Sequence, residues 1–329
     1  MNKKIMGRFL FFFLGALLLT SPAGGTERGS STDESVRAVV LYRGDADPDR
    51  METALAALPD VSVLWRYDRL FCGAAVEAGT DGLEALEALD GVSGVSCVRD
   101  YEPASVAGKD AWPDGGLAMM GAEELWQEGW TGDGTVIAVL DSGLRVSHEA
   151  FADDSLVRSP ALSREFVAAF ASGGGTKGRY VSTRIPFAYD YYNRDDDVST
   201  TNSHGTHVTA LAAGYVGKEG GTAAFRGAAP GAQILSMKIF PDNSGGGTDD
   251  AVILRALEDA LNLGADVINI SAGTGAGFSR DGLLDGLYSQ AYAQLAEAGV
   301  VVCCSAGNEG TSAAYKTWAP ALPTGSYTD

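Results

Sequence analysis

The sequence contains little cysteine and few basic residues, and each shortage excludes a class of protein. Only four of its 329 residues are cysteine, and Cys303 and Cys304 are adjacent, which does not suit a disulfide framework. We expect this pair to be small core residues, and the pairing of Cys72 with Cys97 is left open. The 24 basic residues are outnumbered by 43 acidic ones. The net charge of −19 therefore excludes nucleic acid as a partner, because phosphate binding needs a basic surface.

Long apolar runs are also absent, except at the N-terminus. Three basic residues precede the apolar run Phe9–Leu19, which is shorter than a membrane span, and small residues follow at Ser21-Pro22-Ala23. This order is typical of a signal peptide. We interpret residues 1–23 as a signal peptide, and we expect a secreted or cell-envelope protein that contacts a membrane only through that segment.

Residues 36–103 have the pattern of a small α+β domain. Four strand-like stretches alternate with two helices, for which Asp47 and Thr80 are the predicted N-caps. The resulting β-α-β-β-α-β order is typical of ferredoxin-like domains. The predicted strands are Val36–Tyr42, Val61–Trp65, Leu70–Val76 and Val95–Val98. A linker rich in alanine, glycine, aspartate and proline follows at residues 104–117.

Residues 118–329 show buried strands that alternate with helices. Val136–Leu140 is entirely apolar, as expected of a strand that is buried on both faces. Alternation of this kind predicts an α/β fold with three layers, in which helices cover both faces of a parallel sheet. We interpret residues 152–200 as surface loops. The other predicted strands are Gln233–Phe240, Val267–Ser271 and Val300–Ser305, and helices are predicted after Thr248 and over Leu283–Ala298.

Polar residues stand at two strand ends and at the start of one helix. Asp141 directly follows the first buried strand, at the sheet edge where α/β proteins build their sites. A carboxylate held there can orient an imidazole, and His204 opens a helix that is rich in small residues. Asn308 follows the last strand, where its amide can donate to a developing oxyanion. Each residue alone has an ordinary structural explanation, but the three in this order favour a catalytic site.

The segments around these residues resemble the motifs of subtilisin-like serine proteases. The motifs are Asp141-Ser142-Gly143, His204-Gly205-Thr206-His207 and Ser305-Ala306-Gly307-Asn308-Glu309-Gly310. The resemblance implies that His204 is the general base, that Asp141 orients it, and that Asn308 is an oxyanion donor. In subtilisin itself, removal of such a donor costs roughly 3 to 4 kcal/mol. Within the family, the sequence looks most like the lactocepin-type cell-envelope proteinases.

The resemblance also implies a substrate cleft and an inhibitor. Ser271-Ala272-Gly273 and Ser305-Ala306-Gly307 match the walls of the primary specificity pocket. Gly245-Gly246-Gly247 matches an edge that pairs with an extended protein or peptide substrate. Residues 36–103 resemble the inhibitory propeptide of the family, whose tail would fill the cleft until cleavage between Tyr101 and Leu117. The chemistry requires no cofactor. A structural calcium ion is expected only by family likeness, with Asp195-Asp196-Asp197 as contributors.

One element of the family pattern is missing. The nucleophilic serine lies in Gly-Thr-Ser-x-Ala-x-Pro, and the only similar stretch, Gly310–Ala314, lacks the proline and comes too soon after Asn308. We therefore do not expect Ser312 to be the nucleophile. We expect a sequence truncated after Asp329, before its nucleophile, and inactive as written. The alternative is a pseudoprotease that binds peptides without cleaving them.

Other enzyme classes fit the sequence less well. An α/β-hydrolase needs a Gly-x-Ser-x-Gly elbow, which does not occur. A zinc site is suggested only by His204 and His207, whose spacing is wrong for His-Glu-x-x-His. Gly273–Gly277 lacks the spacing of a dinucleotide-binding loop. We expect His207 to pack within its helix and His148 to lie at the surface.

Overall fold

The computed structural model describes residues 35–103, 116–217, 223–242, 246–273 and 282–305. Several predicted features lie outside these residues: the signal peptide, most of the linker, Gly245, Ala306, Gly307, Asn308 and Ser312. Among the described residues, no helix has the length and apolar character needed to cross a bilayer.

The first part of the described chain folds into a four-stranded antiparallel sheet with two helices. Its strands have the order β2-β3-β1-β4, and each is antiparallel to its neighbour, which confirms the predicted ferredoxin-like arrangement. Strand β3 begins three residues later than predicted, because Leu70 and Phe71 turn into the core before it. The strands are β1 (Val36–Tyr42), β2 (Val61–Tyr67), β3 (Gly73–Ala78) and β4 (Val92–Cys97).

The two helices of this part pack on one face of the sheet. Helix α1 (Pro48–Ala56) is capped as predicted, since the side chain of Asp47 accepts hydrogen bonds from the backbone N–H groups of Asp49 and Arg50. Helix α2 (Thr80–Ala88) is not capped by Thr80. Gly79 occupies the N-cap position there, without a side-chain hydrogen bond.

The second part contains a five-stranded parallel sheet. Its order is β14-β12-β6-β10-β7, so β6 lies at its centre. All six residues of β6 are buried, as the apolar run predicted. The strands are β6 (Val136–Asp141), β7 (Phe187–Asp190), β10 (Gln233–Lys238), β12 (Val267–Ile270) and β14 (Val301–Cys304).

Helices cover both faces of the parallel sheet. Ile137 and Val139 of β6 share a buried cluster with α6 (His204–Ala213) on one face. Alternate β6 residues, such as Ala138, face α7 (Asp250–Asn262) and α8 (Gly282–Glu297) on the other. The predicted three-layer fold is therefore confirmed.

Helix α7 lies between the two sheets. Residues 250–261 are all buried, because Tyr67, Leu70 and Phe71 pack in the same cluster as the inner face of the helix. The predicted cap is wrong by one residue: Asp249 accepts the hydrogen bond from Val252 N at 3.1 Å, and Thr248 precedes it in a strand. Gly264, with a φ of +74°, directly follows the C-cap residue Leu263.

Two further expectations are wrong. Residues 152–200 are not only loops, since they contain α5 (Arg164–Ser172) and the buried edge strand β7. Cys303 and Cys304 are exposed on β14, which is the outermost strand of the described sheet. All four cysteines are free.

The remaining elements are short. They are β5 (Asp100–Pro103), α3 (Gly116–Met119), α4 (Ala122–Gln127), a 3₁₀ turn at Glu149–Phe151, β8 (Tyr215–Gly217), β9 (Ala223–Arg226), β11 (Thr248–Asp249) and β13 (Ala272–Gly273).

Candidate active site

Asp141 is the last residue of β6, and only 2% of its surface is exposed. Its Oδ1 atom accepts a hydrogen bond of 2.6 Å from the backbone N–H of Ser142 and lies 2.8 Å from Nδ1 of His204. Its Oδ2 atom has no hydrogen-bond partner within the described part of the chain. The structure therefore brings together two of the predicted site residues, 63 positions apart in the sequence.

The turn after Asp141 requires a glycine. Gly143 has a φ of +111°, a conformation that residues with a side chain rarely adopt. A Cβ atom there would lie 2.5 Å from the carbonyl oxygen of Val198. The turn is thus held between β6 and the loop that precedes α6.

His204 is the first residue of α6, and its position is set by hydrogen bonds to the start of that helix. The side chain of Asn202 accepts a hydrogen bond from His204 N at 3.0 Å, and Ser142 Oγ accepts one from Gly205 N at 3.1 Å. These two contacts satisfy N–H groups that a helix start otherwise leaves without partners. They also join the helix to the turn that follows Asp141.

The pKa of His204 is raised above its ordinary value of 6.5. The hydrogen bond to the Asp141 carboxylate is the main cause, and the charge of that carboxylate adds to it, while burial acts in the opposite direction. The pair therefore favours the protonated imidazole. Because Nδ1 faces Asp141, any proton exchanged with a substrate would pass through Nε2.

A buried ion pair lies beside this site. Lys238 is opposite Asp141 in the sheet register, and its Nζ atom is 2.5 Å from Oδ2 of Asp190 and 2.5 Å from Oδ1 of Asp242. Burial lowers the pKa of Lys238, but the hydrogen bonds to these carboxylates outweigh it, so that the pKa is raised. Lys238 consequently stays charged and neutralises Asp190 at the edge of the site.

Strand β5 lies in the space between β11 and β13, which we call the cleft. It is inserted between β11 and β13 and is antiparallel to both, with Tyr101 opposite Thr248 and Glu102 opposite Gly273. A Cβ atom on Gly247 would lie 2.6 Å from the carbonyl oxygen of Tyr101. The absence of a side chain at Gly247 therefore allows β5 to approach this closely.

Of the predicted pocket residues that are described, Ala272 and Gly273 form β13, on the other side of the cleft. Ser271 N donates to the Leu140 carbonyl at 3.2 Å, which links Ser271 to the strand that carries Asp141. Ser305 Oγ donates to the Ala272 carbonyl at 3.2 Å. Gly246 immediately precedes Gly247, whereas Asn308, Ala306, Gly307 and Gly245 lie outside the described residues.

The aspartates that were expected to contribute to a calcium site, Asp195 and Asp197, accept hydrogen bonds from nearby backbone N–H groups. Asp195 accepts a hydrogen bond from Asp197 N, and Asp197 accepts one from Ser199 N. Within the described ranges, no three His, Cys, Asp or Glu side chains are grouped as a metal site. Of the other two histidines, His207 is exposed rather than packed, and His148 is half-buried and accepts a hydrogen bond from Ala150 N.

Comparison with known proteins decides the family. The model of the Subtilase family matches residues 132–327, which is more than half of the chain. The chain belongs to the subtilase family. Among its subtilase relatives, the PII-type proteinase of Lactococcus lactis subsp. cremoris is 32% identical over 206 residues, which cover 59% of this chain and 10% of that protein. The C5a peptidase of Streptococcus pyogenes serotype M6 is 34% identical over 188 residues, covering 56% of this chain and 16% of its own length.

Solved subtilase structures share the fold. Fervidolysin from Fervidobacterium pennivorans, a keratinolytic enzyme related to subtilisin, superposes with a TM-score of 0.56 at 20% identity, covering 87% of this chain and 42% of its own. The epidermin leader peptide processing serine protease of Staphylococcus aureus gives a TM-score of 0.55 at 16% identity, covering 84% and 61%. This subtilase chain spans about a tenth of the length of the lactococcal proteinases that it matches.

Three residues at or beside the Asp141–His204 pair were not predicted as site residues from the sequence: Ser142, Asn202 and Lys238. Ser142 and Asn202 accept the hydrogen bonds that fix the start of α6. A polar residue two positions before a helix is a capping signal that could have identified Asn202. Lys238 carried no such signal, because its partner Asp190 is 48 residues away.

Proposed function

We propose that this chain carries the general base and the orienting carboxylate of a secreted serine endopeptidase. The observation that carries the proposal is the 2.8 Å hydrogen bond between Asp141 and His204, in a chain of the subtilase family. A cleft that holds an extended strand adds support, because a protease must bind its substrate in that form.

In the proposed reaction, a serine hydroxyl attacks the carbonyl carbon of the scissile bond. His204 takes the hydroxyl proton on Nε2 and gives it to the departing amine, and a water molecule then repeats the sequence to release the acyl group. Asp141 holds the ring in the tautomer that presents Nε2 and stabilises the imidazolium. Asn308 is proposed to donate a hydrogen bond to the oxyanion.

Our proposal places the nucleophilic serine outside these 329 residues, since the family motif does not occur in them. The substrates are proteins or peptides, and no cofactor takes part in the chemistry. Secretion or attachment to the cell envelope is proposed from the signal-peptide pattern of residues 1–23.

Residues 36–103 are proposed to be an intramolecular inhibitor and folding aid. Their last four residues fill the cleft as β5, and the backbone N–H groups of Asp68, Arg69 and Leu70 all donate to Glu258 of α7. We expect the separately produced segment to slow the processed gene product. An addition of the segment that leaves the rate unchanged would argue against this role.

The main test is the activity of the secreted gene product on a quenched-fluorescent protein. His204→Ala is expected to lower kcat by about 10⁶-fold, as loss of the catalytic histidine does in subtilisin. His207→Ala, on the exposed side of the same helix, is the matched control and is expected to stay within about twofold. Loss of activity in both variants to the same extent would contradict the proposed base.

The second candidate function is peptide binding without cleavage. It is favoured by the filled cleft in a sequence without the nucleophile motif. A gene product that binds peptides and leaves them intact would support it. Hydrolysis by the 329-residue chain that Ser312→Ala abolishes would instead place the nucleophile at Ser312.

A further inference from the structure

Asp250, the first residue of α7, has a carboxylate with an unusual set of partners. The residue is fully buried, and among the described residues its carboxylate accepts four hydrogen bonds. Three come from Arg99, of which the backbone N–H is the shortest at 2.6 Å. The fourth comes from the hydroxyl of Tyr101, at 2.7 Å.

All of these donors belong to the segment that enters the cleft. When β5 leaves together with Arg99, which directly precedes it, Asp250 loses all four donors and lies beside β11, at the edge that pairs with an extended chain. The N-terminus of the 13-residue helix α7 favours a negative charge at this position. The emptied cleft therefore presents a carboxylate as a hydrogen-bond acceptor where the side chain of Tyr101 had been.

The side chain of Tyr101 occupies a partly buried space that would accept one substrate side chain. Its ring is half-buried against the main core cluster, while its backbone is paired with Thr248. Backbone pairing of an extended peptide carries no sequence preference, so preference has to come from side-chain sites of this kind. A carboxylate accepts hydrogen bonds and donates none, so it distinguishes side chains by whether they carry a donor.

We propose that Asp250 is a specificity-determining residue that selects substrates with a hydrogen-bond-donating side chain, tyrosine or a basic residue, at the position of Tyr101. This inference rests on the proposed function, because it treats β5 as lying where a substrate lies. A phenylalanine fills the same space but lacks the hydroxyl that Tyr101 donates to the carboxylate, and an acidic side chain is repelled by it.

The experiment uses the processed gene product and quenched-fluorescent peptides that copy residues 97–117, with tyrosine, phenylalanine or glutamate at position 101. We expect kcat/KM for the tyrosine peptide to exceed that for the phenylalanine peptide by about tenfold, and the glutamate peptide to be the poorest. Asp250→Asn is expected to bring the first two within about twofold of each other. Asp250→Lys is expected to make the glutamate peptide the best of the three.

Asp285→Asn is the matched control. Asp285 lies 2.8 Å from the guanidinium of Arg99 and makes no hydrogen bond to Tyr101. The substitution therefore removes a negative charge from the same region without changing the partner of the Tyr101 hydroxyl. The tyrosine-to-phenylalanine ratio should survive in this variant. Because a ratio of two peptides does not depend on how much enzyme is folded, partial misfolding of a variant does not affect the result.

Equal kcat/KM for the tyrosine and phenylalanine peptides in the unmodified enzyme would overturn the inference and leave the proposed function intact. No hydrolysis of any peptide would overturn the proposed function instead. In that case, the inference is decided by fluorescence anisotropy with the same labelled peptides. A tenfold difference in Kd between tyrosine and phenylalanine would support it, and equal Kd values would overturn it.

Discussion

The backbone of Gly205 lies against the turn that follows Asp141, so closely that a Cβ atom on Gly205 would lie 2.2 Å from the carbonyl oxygen of Gly143. The same Cβ would lie 3.0 Å from Oδ1 of Asp141, the atom that faces His204. A residue without a side chain is thus what lets α6 approach β6 and brings the imidazole within reach of the carboxylate.

Gly205→Ala is therefore expected to destabilise the protein by about 2 kcal/mol, because the added methyl group meets backbone that cannot move aside. Gly286→Ala is the matched control, since Gly286 lies inside α8 with no atom within 4 Å of its added Cβ. That change should stabilise the helix by roughly 0.5 to 1 kcal/mol. Urea denaturation of both variants measures the difference. Equal shifts in the same direction would contradict the close contact at Gly205.

The raised pKa of His204 predicts how the site responds to pH. A general base must be neutral, so the rate should fall as the pH drops through a pKa above 6.5. In Asp141→Asn, the pKa of His204 should decrease, because the hydrogen bond to the Asp141 carboxylate is the main cause of its raised value. NMR titration of the three histidines measures this, with His148 and His207 as internal references. A His204 titration that is unchanged in Asp141→Asn would refute the assignment.

Gly247→Ala is expected to loosen β5, because its Cβ would lie 2.6 Å from the Tyr101 carbonyl oxygen. Gly273→Ala, on the opposite side of β5, places its Cβ in open space and should have little effect. Hydrogen–deuterium exchange of residues 100–103 distinguishes the two variants. Faster exchange in Gly273→Ala than in Gly247→Ala would show that the glycine run does not limit the approach of β5.

Glu258→Ala should weaken the contact between the small antiparallel sheet and α7. Three backbone N–H groups, those of Asp68, Arg69 and Leu70, donate to this buried carboxylate and would lose their acceptor. We expect a loss of about 3 kcal/mol in the free energy of unfolding. Glu297→Ala, at the exposed end of α8, is the control and should change stability by less than about 0.5 kcal/mol. Similar losses in both variants would contradict the role of Glu258.

The features predicted correctly are those whose pattern is local. The apolar run of β6 and the cap at Asp47 can each be recognised from a few consecutive residues, and both are present in the structure. Asp141 and His204 were found for the same reason, since each lies directly beside a recognisable strand or helix.

The features that were missed depend on partners far away in the sequence. Strand β7 is only four residues long, and it is a strand because β10, more than 40 residues later, pairs with it. The burial of helix α7 on both sides was not predicted, because the small sheet that covers its second side is distant in the sequence. The contact between Tyr101 and Asp250 spans 149 residues, and neither residue stands out in the sequence.

The two parts of the chain that meet at α7 both carry a net negative charge. Residues 36–103 contain six basic and 13 acidic residues, and residues 104–329 contain 14 and 27, so the parts that meet at α7 have net charges of −7 and −13. Oppositely charged pairs, Arg37 with Asp249 and Arg99 with Asp250, act only at the contact itself. Physiological salt largely screens charges that are more than about 8 Å apart, but at about 0.01 M salt the screening length grows to about 30 Å, and the two net negative charges then repel each other over that distance. Cutting the chain between them therefore releases bodies that repel at long range, and they should separate faster at low ionic strength than in concentrated salt.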